Sequence, residues 1–280
     1  MALSTLLIEE AVAAALKEDL GHGHDATSDS IIPTDLETTA VLRAREDGVL
    51  AGIVPALSAF TILDPDFDIN IHKQDGEKLT SGDDIATIQG PARTLLTSER
   101  VALNFLSHLS GIATLTAQYV EAVKGTNAQI VCTRKTLPGL RAFQKYAVTC
   151  GGGKNHRFGL DDAILIKDNH IAVAGSVSEA IKRAQDYAGH MVKIEVEVDT
   201  LDQLKEALEH KIDTVMLDNM GHNNLSEAVS VIDGRVLSEA SGGVNLETVR
   251  SLAESGVDMI SVGALTHSAP ALDIGLDIDL

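Results

Sequence analysis

The hydrophobic pattern changes character near Thr97. From there, SERVALNFLSHLSGIATLTAQYVEAV repeats apolar residues at helical spacing and predicts one long helix. Ser98 is its expected N-cap, and Gly111 marks either an interruption or a point of close packing. Six short apolar runs follow, at 128–133, 162–166, 192–198, 213–217, 235–240 and 258–263. Helical patterns such as VSEAIKRAQDYA, LDQLKEALEH and NLETVRSLAESG separate most of them. Strands alternating with helices imply parallel βαβ units, and the last four runs recur about every 21 residues, the rhythm of an α/β barrel. A doubly wound open sheet is the alternative, but no GxGxxG turn follows a first strand. Upstream, residues 1–20 read as an amphipathic helix and 21–30 as a loop. Residues 38–92 alternate β-like runs with turns, with some helix near PALSAFTIL.

Composition narrows the function classes. The chain has 280 residues and a formal charge of −19, which argues against generic nucleic-acid binding; so do the absence of Trp and an aromatic content of 3%. No apolar run reaches the ~20 residues of a membrane span. The N-terminal stripe is broken by Glu9 and Glu10 and lacks a basic flank, unlike a signal peptide. Cys132 and Cys150 make neither a disulfide framework nor a zinc site, so a reducing cytoplasm is the default. His22, His24 and Asp25 lack further metal ligands nearby and read as a solvated loop.

Against this acidic background the cations are concentrated. Arg134, Lys135, Arg141, Lys145, Lys154, Arg157 and Lys167 face only Asp161 and Asp162 within their window, and His156 lies among them. They are interleaved with Gly and Pro, as in LPGLR and CGGGKNHRFG, so they belong to loops. Arg134 and Lys167 directly follow apolar runs. An anion site for phosphates or carboxylates is the functional reading, and a solvated basic face the plain one.

In a barrel, the C-terminal strand ends share one mouth. Read in order, those ends are Arg134 and Lys135, then Lys167, Asp168 and Asn169, then Glu197, then Asp218 and Asn219, then Ser241-Gly242-Gly243, then Gly263. Early strands supply cations; later ones supply carboxylates and then glycine turns. The turns Ser241-Gly242-Gly243 and Val262-Gly263-Ala264 can present backbone N–H groups to a phosphate. Glu197 and Asp218 suit sugar hydroxyls, or Mg²⁺ held with waters and a diphosphate. A phosphorylated sugar carrying a diphosphate fits this half, and an anionic second substrate fits the other.

Several motifs together carry a resemblance. They are T-R-K-T-x-P-G-L-R from Thr133 to Arg141, C-G-G-G-x-N-H-R from Cys150 to Arg157, and I-L-I-K-D-N-H from Ile164 to His170. E-R-x-A-L-N and S-G-I-A-T precede them; E-V-E-V, M-L-D-N-M, E-A-S-G-G and I-S-V-G-A-L-T-H-S follow. In this order and over essentially the whole chain, they resemble the quinolinate phosphoribosyltransferases; Leu137 and Thr149 are mild departures.

The resemblance implies an N-terminal α/β sandwich over 1–105, an incomplete α/β barrel of parallel strands over 106–266, and a tail, 267–280, returning to the first domain. It implies a homodimer with shared active sites. The implied reaction joins quinolinate to 5-phosphoribosyl 1-diphosphate with Mg²⁺ and releases CO₂ and diphosphate, giving nicotinate mononucleotide. Arg134, His156, Arg157 and Lys167 are then expected on the quinolinate carboxylates with the partner subunit's Arg100, and Thr133 beside them. Lys135, with Lys167, suits the diphosphate; Glu197 and Asp218 suit the ribose, Mg²⁺ and the charge developing at the sugar carbon. Lys135, Lys167, Glu197 and Asp218 are the expected catalytic set, and no dedicated base is needed. The alternatives are a Schiff-base aldolase barrel using Lys167 or Lys193, and a paralogue linked to molybdenum transport. The DGEKL turn at Lys78 lacks the M-K-M pattern of a biotin carrier.

Overall fold

A computed structural model describes residues 3–278. The expected helix over 1–20 and tail over 267–280 each extend two residues outside that range. In the first part of the chain come α1 (Thr5–Leu20), α2 (Ala26–Ile31), β1 (Glu37–Ala44), β2 (Gly48–Val49) and α3 (Ile53–Leu63). Then follow β3 (Asp68–Ile71), β4 (Lys78–Leu79), β5 (Asp84–Pro91) and the 31-residue α4 (Ala92–Ala122). The second part runs β6 (Gln129–Val131), α5 (Arg141–Cys150), β7 (Ile164–Ile166), α6 (Asp168–Ala174), α7 (Val177–Tyr187), β8 (Ile194–Val198) and α8 (Leu201–Ala207). It continues with β9 (Thr214–Asp218), α9 (His222–Ile232), β10 (Leu237–Ser241), α10 (Val249–Glu254), β11 (Met259–Ser261), α11 (Ala264–His267) and β12 (Ile274–Ile278).

Two compact units result. The first holds residues up to Ala117, Leu137–Gly152 and the chain from Ser268; the second holds Gln118–Thr136 and Gly153–His267. The expected cut at 105/106 falls inside α4, a continuous helix with no boundary of its own. Helix α5 belongs to the first unit because its contacts are there. Gln144 Nε2 lies 2.9 Å from His108 Nε2, the Tyr146 hydroxyl donates to Asp75 Oδ2 at 2.7 Å, and Gly151 packs against Ala113 and Thr116.

The first unit is built on an antiparallel sheet of order β12-β1-β5-β3. Strand β12 pairs with β1 from Ala40↔Ile278 to Ala44↔Ile274, and Arg43 and Arg45 both bind Asp277 across that seam. Helix α1 buries Ile8, Val12 and Leu16, four residues apart on one face, and packs on α3. Asp25 caps α2 by accepting from Thr27 N and Ser28 N at 3.0 and 3.1 Å, while His22 and His24 stay exposed. Ser98 does not begin α4: the chain passes from β5 into the helix at Pro91–Ala92, and Ala92 N is held by Leu36 O. Ser98 is a buried interior residue whose hydroxyl donates to Thr94 O. Gly111 leaves α4 unbroken. It is a close approach, because a Cβ there would collide with Pro270 O.

The second unit is a six-stranded parallel sheet of order β6-β11-β10-β9-β8-β7. First and second strands are therefore the two edges of an incomplete barrel. The βα crossover that would close it is missing, because α5 is committed to the first unit. The chain instead lays one residue beside β6: Lys154 N donates to Ile130 O at 2.8 Å and Cys132 N to Lys154 O at 3.1 Å. In β8 every residue is buried, and Glu195 and Glu197 alternate with Ile194, Val196 and Val198, so both carboxylates share one face. Among the described residues no helix is long and apolar enough to cross a membrane.

Gly111→Ala should destabilise the first unit by about 1–3 kcal/mol, the usual range for overpacking, because a backbone carbonyl has little room to yield. Urea denaturation measures this; the native circular dichroism spectrum should not change.

Candidate active site

The six strands end on one mouth, where a cavity of about 760 Å³ opens. All its lining residues lie in the second unit. Thr133, Arg134 and Lys135 come from beyond β6, and His156 and Arg157 from the segment before β7. Lys167 follows β7, Glu197 lies in β8, and Asp218 ends β9. Ser241, Gly242 and Gly243 follow along β10, and Gly263 and Ala264 lead into α11.

The β6 loop is pinned from both sides. Lys135 N donates to the Thr133 hydroxyl at 3.0 Å, and the Thr266 hydroxyl donates to Lys135 O at 2.7 Å. Arg157 Nη1 donates to Ala163 O at 3.0 Å. The Nε atoms of Arg134 and Arg157 are buried with no acceptor. Burial first, and then repulsion by Arg134, pull the Arg157 pKa below its ordinary value. Two half-buried guanidiniums, each with a buried open Nε donor, form a site for an anion of at least two negative charges.

The opposite wall is anionic. Lys167 Nζ lies 2.8 Å from Glu197 Oε2 and so spans the two halves. Asp218 is held by Asn219 Nδ2 at 2.5 Å. Asn219 sits at φ 53°, a left-handed conformation that Asn tolerates, and its side chain fills the place a Cβ at Gly242 would take. Gly242 itself is at φ 97°, so the turn excludes other residues on both counts.

Two expected residues lie elsewhere. Val262 does not line the cavity: it is buried, and its N–H continues the strand ladder to Val131 O at 2.9 Å. Alternation along the extended chain turns its side chain away and leaves Ser261 and Gly263 toward the mouth. Arg100 is on α4 in the first unit, exposed, with Glu99 Oε1 at 3.8 Å, and is not a lining residue. Lys193, the second lysine of an aldolase reading, is also outside the cavity and exposed, bound to Asp213 at 2.5 Å.

The cavity also holds residues that sequence reasoning missed: Leu165, Met216, Glu239, Val244, Ser261 and His267. Glu239 matters most. His156 Nε2 lies 2.8 Å from Glu195 Oε2 and 3.7 Å from Glu239 Oε2. Among the described residues these three form the one group of histidine and acidic side chains with ligand atoms all within 4.8 Å of one another. Glu239 is 1% exposed, and neither of its oxygens has a hydrogen-bond partner. Burial, reinforced by Glu195, pushes its carboxyl up to about 7; His156, Ser261 and Lys167 oppose the shift. The period-2 pattern of LSEAS in β10 and of IEVEV in β8, with β9 between them, was the available signal, since it puts all three glutamates on inward-facing positions.

A parallel α/β barrel with cations, carboxylates and glycine turns gathered at its strand ends is an enzyme framework for anionic, phosphorylated substrates. The family model described as quinolinate phosphoribosyl transferase, C-terminal domain, matches residues 112–277, and its N-terminal-domain counterpart matches 25–110. The nicotinate-nucleotide pyrophosphorylase [carboxylating] of Mycobacterium leprae is 47% identical, covering 96% of both chains. A probable enzyme of the same name from Bacillus subtilis is 45% identical over 94% of this chain and 90% of its own. The crystal structure of NadC from Streptococcus pyogenes superposes with a TM-score of 0.95 at 44% identity, covering all of both chains. The chain belongs to the quinolinate phosphoribosyl transferase family.

The raised Glu239 carboxyl makes stability depend on pH. The folded state binds this proton more tightly than the unfolded state, so the contribution is present below about 4.5 and is lost as pH rises through about 7. Its size is at most roughly 3.5 kcal/mol, from about 1.4 kcal/mol per pH unit. Glu239→Gln should flatten the fall in stability between pH 5 and pH 8, measured by urea denaturation at each pH and compared with the parent protein.

Proposed function

We propose that this protein transfers a phosphoribosyl group from 5-phosphoribosyl 1-diphosphate to quinolinate, with decarboxylation, giving nicotinate mononucleotide, CO₂ and diphosphate, a step of de novo NAD synthesis. The observation that carries the reading is the pair of half-buried arginines whose Nε donors are buried and open, in a cavity whose other wall is carboxylate. Quinolinate is a dianion with adjacent carboxylates. Arg134 and Arg157, with Lys167, match it; Thr133 borders the same region, as does His156, whose ring nitrogens are engaged by Glu195 and the Arg157 N–H.

The sugar half follows from the other wall. Glu197 and Asp218 accept from ribose hydroxyls and stabilise positive charge at the anomeric carbon as the diphosphate departs. Lys135 and Lys167 bind the leaving diphosphate. The turns at Ser241-Gly242-Gly243 and Gly263-Ala264 take the 5-phosphate on backbone N–H groups. The carboxylate oxygens of Glu197 and Asp218 are the hard donors that would hold Mg²⁺. When bound, the ion would offset the charge of the diphosphate. The residues themselves work by positioning and electrostatics. Cys132 and Cys150 are not joined in a disulfide, in keeping with a reducing cytoplasm.

We also read the enzyme as a homodimer in which the partner subunit's Arg100 completes each quinolinate site. Exposure of Arg100, with only Glu99 3.8 Å away, supports this reading.

Arg134→Ala or Arg157→Ala should lower quinolinate affinity by about 1.5–3 kcal/mol, roughly 10- to 100-fold. Glu197→Gln and Asp218→Asn should preserve that affinity and damage turnover. Calorimetry and steady-state CO₂ release separate the two cases; the reverse pattern would exchange the two halves of the cavity.

Arg100→Ala and Lys135→Ala should each be nearly inactive alone. Co-refolded together, half the dimers are mixed, and one site in each mixed dimer is whole, so roughly a quarter of parental activity should return. Mass spectrometry monitors reassortment. If subunits exchange and activity does not return, Arg100 does not act across an interface.

A further inference from the structure

Decarboxylation leaves an unfilled requirement. The carboxylate lost from quinolinate is the one beside the ring nitrogen, and the product carries hydrogen on that carbon. A proton must reach it from somewhere. We infer that Glu239, buried at the floor of the cavity beside His156, donates that proton; the inference rests on the transfer and decarboxylation proposed above.

The hydrogen bonds around His156 fix which group holds the proton. His156 Nδ1 accepts the Arg157 N–H at 2.8 Å, so the ring proton is on Nε2 and the imidazole is neutral while that bond stands. Nε2–H then points at Glu195 Oε2, 2.8 Å away, which accepts it. Glu239 Oε2 is 3.7 Å from the same nitrogen and receives no hydrogen bond from it. Ser261, on β11, is the one hydroxyl that favours the ionised form, and burial and Glu195 outweigh it. That hydroxyl is shared with Ala240 O, 3.4 Å away. Lys167, beyond β7, is bonded to Glu197. Met216, its register partner on β9, is apolar. An ionised Glu239 would be a buried, unsolvated anion beside Glu195, at a cost that protonation removes. The carboxyl therefore carries its proton, and it lines the cavity that holds the reacting ring.

The step balances. The ring nitrogen lone pair forms the bond to the sugar carbon as the bond to diphosphate breaks. The bond from the adjacent ring carbon to its carboxylate then breaks; CO₂ leaves, and the electron pair stays on carbon next to the cationic nitrogen. That pair takes the Glu239 proton, and the O–H bond pair remains on the carboxylate oxygen. Water returns the proton as the product departs. Without a proton in place, the carbanion recaptures CO₂ before it escapes.

Glu239→Gln keeps shape and removes the proton. In single-turnover rapid quench with quinolinate, 5-phosphoribosyl 1-diphosphate and Mg²⁺, diphosphate release should stay within about threefold of the parent protein. Nicotinate mononucleotide formation should slow roughly 100-fold or more, the scale of a lost general acid. The dicarboxylate mononucleotide should accumulate between the two. Nicotinate mononucleotide formed within about threefold of the parental rate would overturn the inference. The parent protein gives a second reading that does not depend on folding of the variant. The same dicarboxylate species should build up as pH is raised from 6 to 9, and a product ratio flat over that range would also overturn the inference. If the parent protein releases neither diphosphate nor CO₂, the functional reading fails; if it releases both normally and the variant does too, only the role of Glu239 fails.

Discussion

Like charges are forced together in the barrel of this protein, and most of its site follows from that. Arg134 and Arg157 lie close enough for one to depress the pKa of the other, and both have an Nε buried without an acceptor. In the same barrel interior, Glu195 is close enough to the cavity-lining Glu239 to raise its pKa. Each wall is unfavourable alone. A ligand with adjacent carboxylates relieves the cationic wall, and a proton relieves the carboxylate pair. Lys167, bonded to Glu197, joins a predicted quinolinate contact to a predicted ribose contact. The barrel backbone makes this arrangement permanent, because strand alternation leaves the inward residues no other direction.

The parallel strands were legible because their apolar bodies contrast with polar ends: each of the six apolar runs overlaps an observed strand, and four contain it whole. The cationic and carboxylate contacts at those ends were legible for the same reason. Where the reading failed, the determinant was non-local. Ser98 has the chemistry of a helix cap, but α4 starts where strand β5 delivers the chain, and no local pattern reports that. Helix α5 lies between two barrel strands in sequence yet packs in the first unit, through partners such as Asp75 and His108 that are 71 and 36 residues away. Glu195 and Glu239 escaped attention because a charge in the middle of a strand resembles a solvated position; only the register of β8, β9 and β10 shows that they share a buried interior. Val262 was included with its glycine turn, although the alternation of β11 points it outward.

Catalytic preorganisation here depends on short-range fixtures more than on the strands themselves. The loop of Thr133 to Lys135 is closed by its own hydroxyl and by Thr266 from α11. Asp218 is oriented by Asn219, whose left-handed backbone also shapes the approach to Gly242. His156 is held at both ring nitrogens. Each is a polar contact whose loss would leave the fold in place and loosen one reacting group, the kind of supporting shell that sets how precisely charge is aimed at a transition state.

The pairing of β12 with β1 has a consequence for how the chain is made. Arg43 and its partner Asp277 are 234 residues apart, and the central antiparallel sheet of the first unit is incomplete until β12 is available. A ribosome extends the chain from its N-terminus, so β1 leaves the exit tunnel long before β12. During that interval one edge of the sheet offers unpaired N–H and C=O groups to any extended neighbour, including another nascent copy. The barrel strands, by contrast, find their partners within the segment from β6 to β11. Synthesis therefore finishes the domain that emerges second before the domain that emerges first, and the last strand to appear is the one that closes the exposed edge.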